Sequence, residues 1–195
     1  MKKLLALSLV VLMAGTATAQ MPSIGIFFSN TDFTDENTNF DPASGTPFDA
    51  YLVMLGANFV SLGGYEVGLT ENSGGTLLVL NATWPNSALN FGGTNLNHLV
   101  GYGVPLPVTD GAAVLCTISM LLSGTPTVEF STGPAVPPSI PSWEGPVFAD
   151  NANPDDLIEG TSTGGSPIAV VATLNGGGIV AVEQSSLSQV KSLFQ

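Results

Sequence analysis

Basic side chains are almost absent from this chain of 195 residues. Its only cations are Lys2, Lys3 and Lys191, it contains no arginine, and fifteen Asp and Glu residues give a formal net charge of −12. A surface without cations cannot neutralise phosphates, which speaks against nucleic-acid binding. Nucleotide binding loses the guanidinium clamp that it commonly uses, and anionic lipid surfaces would repel the protein.

Cysteine and histidine each occur once, which removes most catalytic devices. Cys116 cannot form an internal disulfide, and its apolar surroundings (AAVLCTISMLL) predict a buried, inert thiol; a nucleophile or an intermolecular bridge is the alternative. His98, in NLNHLVGYG, is interpreted as a surface or strand-edge residue, since no G-x-S-x-G motif supplies a nucleophile. The two residues are also too few for a zinc site. No catalytic residue is therefore predicted.

The N-terminal segment has the features of a secretory signal peptide. Residues 1–19 contain two lysines, an apolar run over 4–14 and small residues at Ala17 and Ala19, which predicts cleavage before Gln20. The run is too short to span a bilayer, so no transmembrane segment is expected, and no cysteine directly follows it to carry a lipid anchor. We therefore expect a secreted or cell-surface protein, with the periplasm as an alternative. One lysine against fifteen acidic residues gives its mature form a net charge of −14.

Short apolar runs between turn residues dominate the rest of the chain. Charged residues make up 9% and hydrophobic residues 44% of the sequence, which predicts a folded core. In YEVGLT, Tyr65, Val67 and Leu69 alternate with the period of a half-buried strand. We predict nine strands, at 24–29, 48–55, 64–70, 76–83, 99–104, 112–122, 127–131, 145–148 and 167–174. Because no helix of crossover length intervenes, the predicted fold class is all-β, an antiparallel β-sandwich over residues 20–178.

The C-terminal residues 179–195 carry the strongest helix signal of the chain. Ser186 and Gln189 form a capping box, and apolar residues follow at helical spacing, which predicts a short C-terminal helix. A helix of about nine residues needs a surface to pack on. This tail is interpreted either as packing on its own domain or as a recognition tail for secretion or surface retention.

Two loops crowd oxygen-bearing side chains and are candidate calcium sites. Calcium binds six to eight oxygens from carboxylates, amides and backbone carbonyls. The candidate ligands are Asp35, Asn37, Asn39 and Asp41 in the first loop and Asp150, Asn151, Asn153, Asp155, Asp156 and Glu159 in the second. Neither loop has the EF-hand pattern, and the alternative is that Asp and Asn only form turns. A divalent ion would relieve carboxylate repulsion, and the second loop is favoured because Pro154 stiffens it.

Sugar binding requires exposed aromatic rings beside polar loops. The candidate ligand-binding residues are Trp84 in ATWPN, Trp143 in PSWEG and Tyr102 near a loop edge; a core or loop-anchor role for the tryptophans is the alternative. A glycoside hydrolase would need two facing carboxylates. The candidates for such a pair are Glu66, Glu71, Glu129 and Glu144, and the sequence favours no two of them.

Two segments resemble the cohesin-like family of bacterial extracellular β-sandwiches, a fold shared with some carbohydrate-binding modules. They are LGGYEVGLTENSGGTLLVLNATWP, at 62–85, and GAAVLCTISMLLSGTPTVEFS, at 111–131. The resemblance implies a cohesin-like sandwich. The ENSGG turn and the polar insertion at 30–46 depart from the family pattern, so neither dockerin binding nor any binding residue is carried over.

Export, a sandwich fold, long polar loops and the lack of a catalytic base favour a noncatalytic binding or scaffolding module. The expected partner is a polysaccharide or a surface protein, because the missing cations speak against nucleic acid, nucleotides and anionic membranes. Calcium is the only cofactor that the sequence suggests. The alternatives are a small carboxylate-dependent glycoside hydrolase and a structural subunit of a surface layer or appendage.

Overall fold

The computed structural model describes residues 21–176, which form two β-sheets packed against each other. The predicted all-β sandwich is confirmed, and each of the nine predicted strands overlaps a strand of the structure. Four strands of two or three residues were not predicted. The predicted signal peptide and the predicted C-terminal helix lie outside the described residues. Over the described range, no helix has the length and apolar character needed to cross a membrane.

The first sheet has five strands. Their bounds are β1 Ser23–Phe27, β3 Pro47–Leu55, β5 Leu77–Thr83, β8 Ala113–Leu122 and β12 Thr161–Ser162. Their spatial order is β12, β1, β3, β8, β5, and all neighbours are antiparallel except β1 and β12. Ile118 on β8 lies opposite Ala50 on β3 and Ala82 on β5, so the inward face of three strands is apolar at this level. The far edge of β5 pairs with no described strand.

The second sheet has eight strands. Their bounds are β2 Asn39–Phe40, β4 Ser61–Glu71, β6 Ala88–Asn90, β7 Asn97–Pro107, β9 Val128–Gly133, β10 Val147–Asp150, β11 Leu157–Glu159 and β13 Val170–Leu174. β4 is central: β7 pairs along one side of it, while β10 and β9 pair in succession along the other. β6 lies beyond β7, β11 beyond β10, and β13 and then β2 beyond β9.

The core lies between the two sheets and is built from the alternate residues that the strand pattern predicts. On β4, Tyr65, Val67 and Leu69 are buried, as the sequence indicates. Its largest fully buried side chains include Phe130, Phe148, Ile24, Ile26, Leu52, Met54, Leu62, Leu115, Ile118, Met120 and Leu122. Each such side chain contributes about 1.5–3 kcal/mol by its removal from water. The free energy of folding therefore comes from this packing, since the single cysteine cannot form an internal disulfide.

Aromatic side chains tie the first polar loop to the sandwich. The ring centroid of Phe40 lies 5.3 Å from that of Phe28 and 5.4 Å from that of Phe48. The loop between β1 and β2 contains a short 3-10 turn at Asp35–Thr38. Thr38 Oγ1 donates a hydrogen bond to the Asp35 carbonyl oxygen at 2.6 Å, so the turn is closed by its own side chain.

Candidate functional site

A chain of hydrogen bonds links three ring side chains inside the sandwich. Trp84 follows β5, and its Nε1 donates to the Tyr65 hydroxyl oxygen at 2.9 Å. That oxygen lies 2.8 Å from His98 Nδ1, and His98 Nε2 lies 2.9 Å from the Asn95 carbonyl oxygen. Because a carbonyl oxygen only accepts, Nε2 carries the imidazole proton, Nδ1 accepts, and Tyr65 donates. The direction of each hydrogen bond in this series is therefore defined, and the Tyr65 hydroxyl both accepts from Trp84 and donates to His98.

This environment keeps His98 neutral. Its side chain is fully buried, and burial lowers the pKa of the imidazole to about 4, against a smaller opposing effect of the Asn95 carbonyl. The prediction of a surface histidine is wrong, because His98 shares the inward face of β7 with Val100 and Tyr102. His98 does lie at the predicted loop-to-strand boundary, since β7 begins at Asn97. Both imidazole nitrogens are occupied within the fold, so this group is not positioned to act as a general base.

The single cysteine is also not suited to act as a nucleophile. Cys116 is buried on β8, as predicted. Burial raises the pKa of its thiol to about 12, against a smaller opposing effect of the backbone at Thr83. A thiol in this state stays protonated at neutral pH, and the protonated form is a poor nucleophile.

The three aromatic residues predicted to bind a ligand direct their polar atoms into the fold. Tyr102 is buried within β7 instead of lying near a loop edge, and its hydroxyl donates to the Leu115 carbonyl oxygen at 3.0 Å. Trp143 is half-buried, and its Nε1 donates to two backbone carbonyl oxygens at 3.1 and 3.2 Å. Trp84 is half-buried against the core. The tryptophans thus have the anchoring contacts of the alternative interpretation, and Tyr102 presents no exposed ring.

The candidate calcium ligands lie in two loops and on the strand ends next to them, near opposite edges of the second sheet. Asn39 Oδ1, on β2, accepts from Thr173 Oγ1 at 2.8 Å, and Asp150 Oδ1, at the end of β10, accepts from the Ala152 amide at 3.0 Å. The remaining exposed candidates are Asp35, Asp41, Asn151, Asn153, Asp155, Asp156 and Glu159. No three Asp, Glu, His or Cys side chains in residues 21–176 are grouped so that they could hold an ion together. Calcium binding stays a prediction that would have to use amide and backbone oxygens as well.

Three of the four candidate hydrolase carboxylates have structural hydrogen-bond partners. Glu66 accepts hydrogen bonds from the backbone amide and the hydroxyl of Ser139. Glu71 and Glu129 each accept a hydrogen bond from the turn that follows β4. Glu144 is exposed on the proline-rich loop. Glu66, Glu71 and Glu129 therefore have structural roles, because each accepts hydrogen bonds that fix a neighbouring loop or turn.

The outer face of the second sheet carries a shallow apolar trough that crosses five strands. In register, its floor is formed by Leu89 on β6, Gly101 on β7, Gly64 on β4, Ala149 on β10 and Leu157 on β11. The three central positions have no side chain beyond Cβ, whereas the leucines at the two ends are 63% and 39% exposed. The outer face of the sheet therefore has a depression at its centre, with a volume of about 310 Å³.

A second row of side chains forms one wall of the trough. It runs from Leu99 on β7 through Glu66 on β4 and Val147 on β10 to Glu159 on β11. Phe91 extends this row beyond β7: its amide donates to the Leu99 carbonyl oxygen at 2.8 Å, and its ring is 73% exposed. Leu89, Phe91 and Leu157 thus place three exposed apolar side chains around the depression in this sheet face.

The proline-rich loop after β9 is fastened across the same sheet face by two polar residues. Ser139 binds Glu66 as described above. Asn97, at the start of β7, accepts from the Val136 amide at 2.9 Å and donates to the Val136 carbonyl oxygen at 2.7 Å. The loop therefore borders the trough on the Glu66 side, and the floor beyond it remains open.

No protein-family model matches the sequence, and a comparison with curated proteins finds no match. Among solved structures, the cohesin module of a family 33 glycoside hydrolase from Clostridium perfringens aligns with a TM-score of 0.50 and 9% identity, over 80% of this chain and 98% of that module. The fold is cohesin-like. The sixth cohesin of scaffoldin B from Acetivibrio cellulolyticus, solved with a Cel5 dockerin, aligns at a TM-score of 0.49 and 8% identity, over 80% of this chain and 99% of that one. The resemblance is thus confirmed for the fold, which does not by itself define a function.

The trough of this cohesin-like sandwich was not predicted from the sequence. A signal for it exists: Gly64 and Gly101 occupy outward positions on strands whose inward positions carry large, mostly apolar side chains. A Cβ on Gly64 would lie 2.6 Å from the Val100 carbonyl oxygen, so close strand approach requires glycine there. A Cβ on Gly101 would meet no atom within 4 Å, so its missing side chain leaves space that is open to a partner.

Proposed function

We propose that this chain is a noncatalytic binding module that holds part of another protein in the trough of its second sheet. The observation that carries the proposal is the row from Leu89 to Leu157, in which exposed leucines flank a floor of Gly101, Gly64 and Ala149. Such a floor admits side chains of a partner, and the leucines and Phe91 supply apolar contact. A protein partner fits this surface better than a sugar, because Tyr102 is buried and neither tryptophan is among the residues that line the trough.

The state of the titratable groups also supports a binding role. His98 and Cys116 are buried, and His98 and three of the four candidate carboxylates are used in structural hydrogen bonds. Within residues 21–176, these contacts thus give the enzyme alternative no acid and base that face each other.

The test uses random twelve-residue peptides displayed on phage and selected against the full chain. We expect selected peptides to bind the Gly101→Leu variant at least tenfold more weakly, because the new side chain fills the trough. Gly133→Leu is the matched control, since a Cβ at Gly133, on β9 of the same sheet, also meets no atom within 4 Å. Peptides that bind both variants as tightly as the wild type would contradict the proposal.

Export is part of the same proposal and rests on residues 1–19. The intact mass of the protein, recovered from a bacterial host that secretes it, is expected to correspond to a chain starting at Gln20. A mature product that retains Met1 would contradict export by this signal.

A glycan is the second candidate partner, favoured by a hollow of about 450 Å³ at the end of β5. It is lined by Thr83, Trp84, Pro85, Leu106, Val114 and Thr117, a set without charge that combines an indole with two hydroxyls. A glycan array and pull-down on insoluble polysaccharides test it, with Trp84→Phe against Trp143→Phe. Binding that only Trp84→Phe loses supports this candidate, and binding to no glycan removes it.

A further inference from the structure

The described part of the chain carries negative charge without a single Lys or Arg. Of the fifteen acidic residues, only Glu183 lies outside residues 21–176, and all three lysines lie outside them. His98 does not offset this charge because burial keeps it neutral. The electrostatic field around the sandwich is therefore of one sign, and it favours a basic partner.

This charge is distributed unevenly along the trough. At the β11 end, the exposed residues Asp155 and Asp156 directly precede Leu157, and exposed Glu159 follows two residues later. At the β6 end, segment 86–101, which includes Leu89 and Phe91, contains no Asp or Glu. The trough thus has one acidic and one uncharged, apolar end.

Building on the proposed function, we infer that the trough binds a basic protein segment in a single direction. Lys or Arg side chains of the segment lie at the end formed by Asp155, Asp156 and Glu159. Its apolar side chains lie on Gly101 and against Leu89 and Phe91. Reversing the segment would place its cations on apolar surface and its apolar groups beside carboxylates, and both placements are unfavourable.

The length of the row limits the segment. Four steps between neighbouring strands, at about 4.8 Å each, separate Leu89 from Leu157 by about 19 Å. A short stretch of chain therefore reaches both ends. A second copy of this protein is disfavoured as the occupant, because two bodies of the same negative sign repel each other.

The experiment extends the peptide selection described above, at low ionic strength. We expect the selected peptides to be rich in Lys and Arg towards one end and in apolar residues towards the other. The acidic end is neutralised by the triple variant Asp155→Asn, Asp156→Asn and Glu159→Gln. The matched control Asp35→Asn, Glu36→Gln and Asp41→Asn removes the same charge at the opposite edge of the second sheet.

Binding to the first triple variant is expected to be roughly tenfold weaker, with a smaller dependence on salt, while the control stays close to the wild type. Equal weakening by both triples would overturn the directional inference, because only the overall field would then matter. Peptides that require an open Gly101 but show no cation preference would also overturn it and leave the proposed function intact. If no selected peptide responds to Gly101→Leu, the proposed function itself fails.

Discussion

The Tyr65 hydroxyl donates a hydrogen bond to His98 Nδ1 at 2.8 Å, and both residues are buried between the sheets. The same hydroxyl oxygen accepts from Trp84 Nε1, so a single phenol satisfies two ring nitrogens. A buried polar group that loses its partner lowers the stability of the fold by more than an ordinary hydrogen bond adds to it. This cluster is therefore a structural polar network in an otherwise apolar core.

Removal of the Tyr65 hydroxyl should leave His98 Nδ1 and Trp84 Nε1 without a hydrogen-bond partner. We expect Tyr65→Phe to lower the free energy of unfolding by about 2–3 kcal/mol, because His98 and Trp84 each lose a buried partner. Tyr51→Phe, on half-buried Tyr51 of β3, serves as the control and should change stability by about 0.5 kcal/mol or less. Urea unfolding measures both variants, and equal losses would show that the network contributes nothing specific.

The state of His98 predicts a loss of stability in mild acid. The unfolded chain protonates this histidine near pH 6.5, whereas burial holds its folded pKa at about 4. The unfolded state therefore takes up the proton first, and stability falls as the pH drops from about 6.5 to 4, by on the order of 3 kcal/mol in total. Above pH 7 the imidazole is neutral in both states and contributes no pH dependence.

The comparison for this effect is His98→Gln, which cannot titrate. Its unfolding free energy should lack the part of the acid slope that belongs to the histidine. NMR titration of the imidazole in the wild type gives an independent measurement, and His98 resonances that shift with a midpoint near pH 6.5 would refute the assignment.

Two glycines that face each other across β4 and β7 should respond oppositely to the same substitution. Gly64→Ala brings a Cβ within 2.6 Å of the Val100 carbonyl oxygen and is expected to lower stability by about 1–3 kcal/mol. Gly101→Ala meets open space and should raise stability by about 0.5–1 kcal/mol, since it removes the entropic cost of glycine. Chemical denaturation of the pair measures the difference, and equal effects would contradict the register.

The calcium hypothesis predicts a melting temperature that rises with free calcium. An ion that binds only the folded state at one hundred times its dissociation constant adds about 2.7 kcal/mol. Thermal melts in chelator and in millimolar calcium measure this, with Asp155→Asn and Asp41→Asn to identify the loop. Identical melts would leave these side chains with structural roles only, as in the turn that Asp150 closes with the Ala152 amide and in the contact of Asn39 with Thr173 on β13.

The strands could be predicted because alternation is a local property. Nine apolar runs bounded by turn residues, several of them with a period of two residues, were enough to predict the sandwich. β2, β6, β11 and β12 are too short to show any period. His98 was placed at the surface because it was considered alone. His98 alternates with Val100 and Tyr102 at a period of two residues, and this pattern indicates that all three side chains face the core.

The trough could not be predicted in the same way, because it is a property of pairing. Gly101, Gly64 and Ala149 lie on three strands that are far apart in the sequence, and only the register brings them into one row. Likewise, nothing in the local sequence of Glu66 indicates that it holds Ser139, which lies 73 residues later. Composition predicted the sign of the surface charge, but its uneven placement along the trough depends on the fold.

One edge of β5, which pairs with no strand in residues 21–176, affects how this protein behaves in concentrated solution. The strand LLVLNAT has no charged residue, and Leu78 and Leu80 are 55% and 49% exposed beside backbone groups that pair with no described strand. Many proteins protect such an edge with a lysine, and none is present here. We expect mutual repulsion between whole molecules to keep these edges apart. The net charge of the full sequence reaches zero near its isoelectric point of about 4.1, and salt screens it, so we expect acid and salt to favour edge-to-edge association.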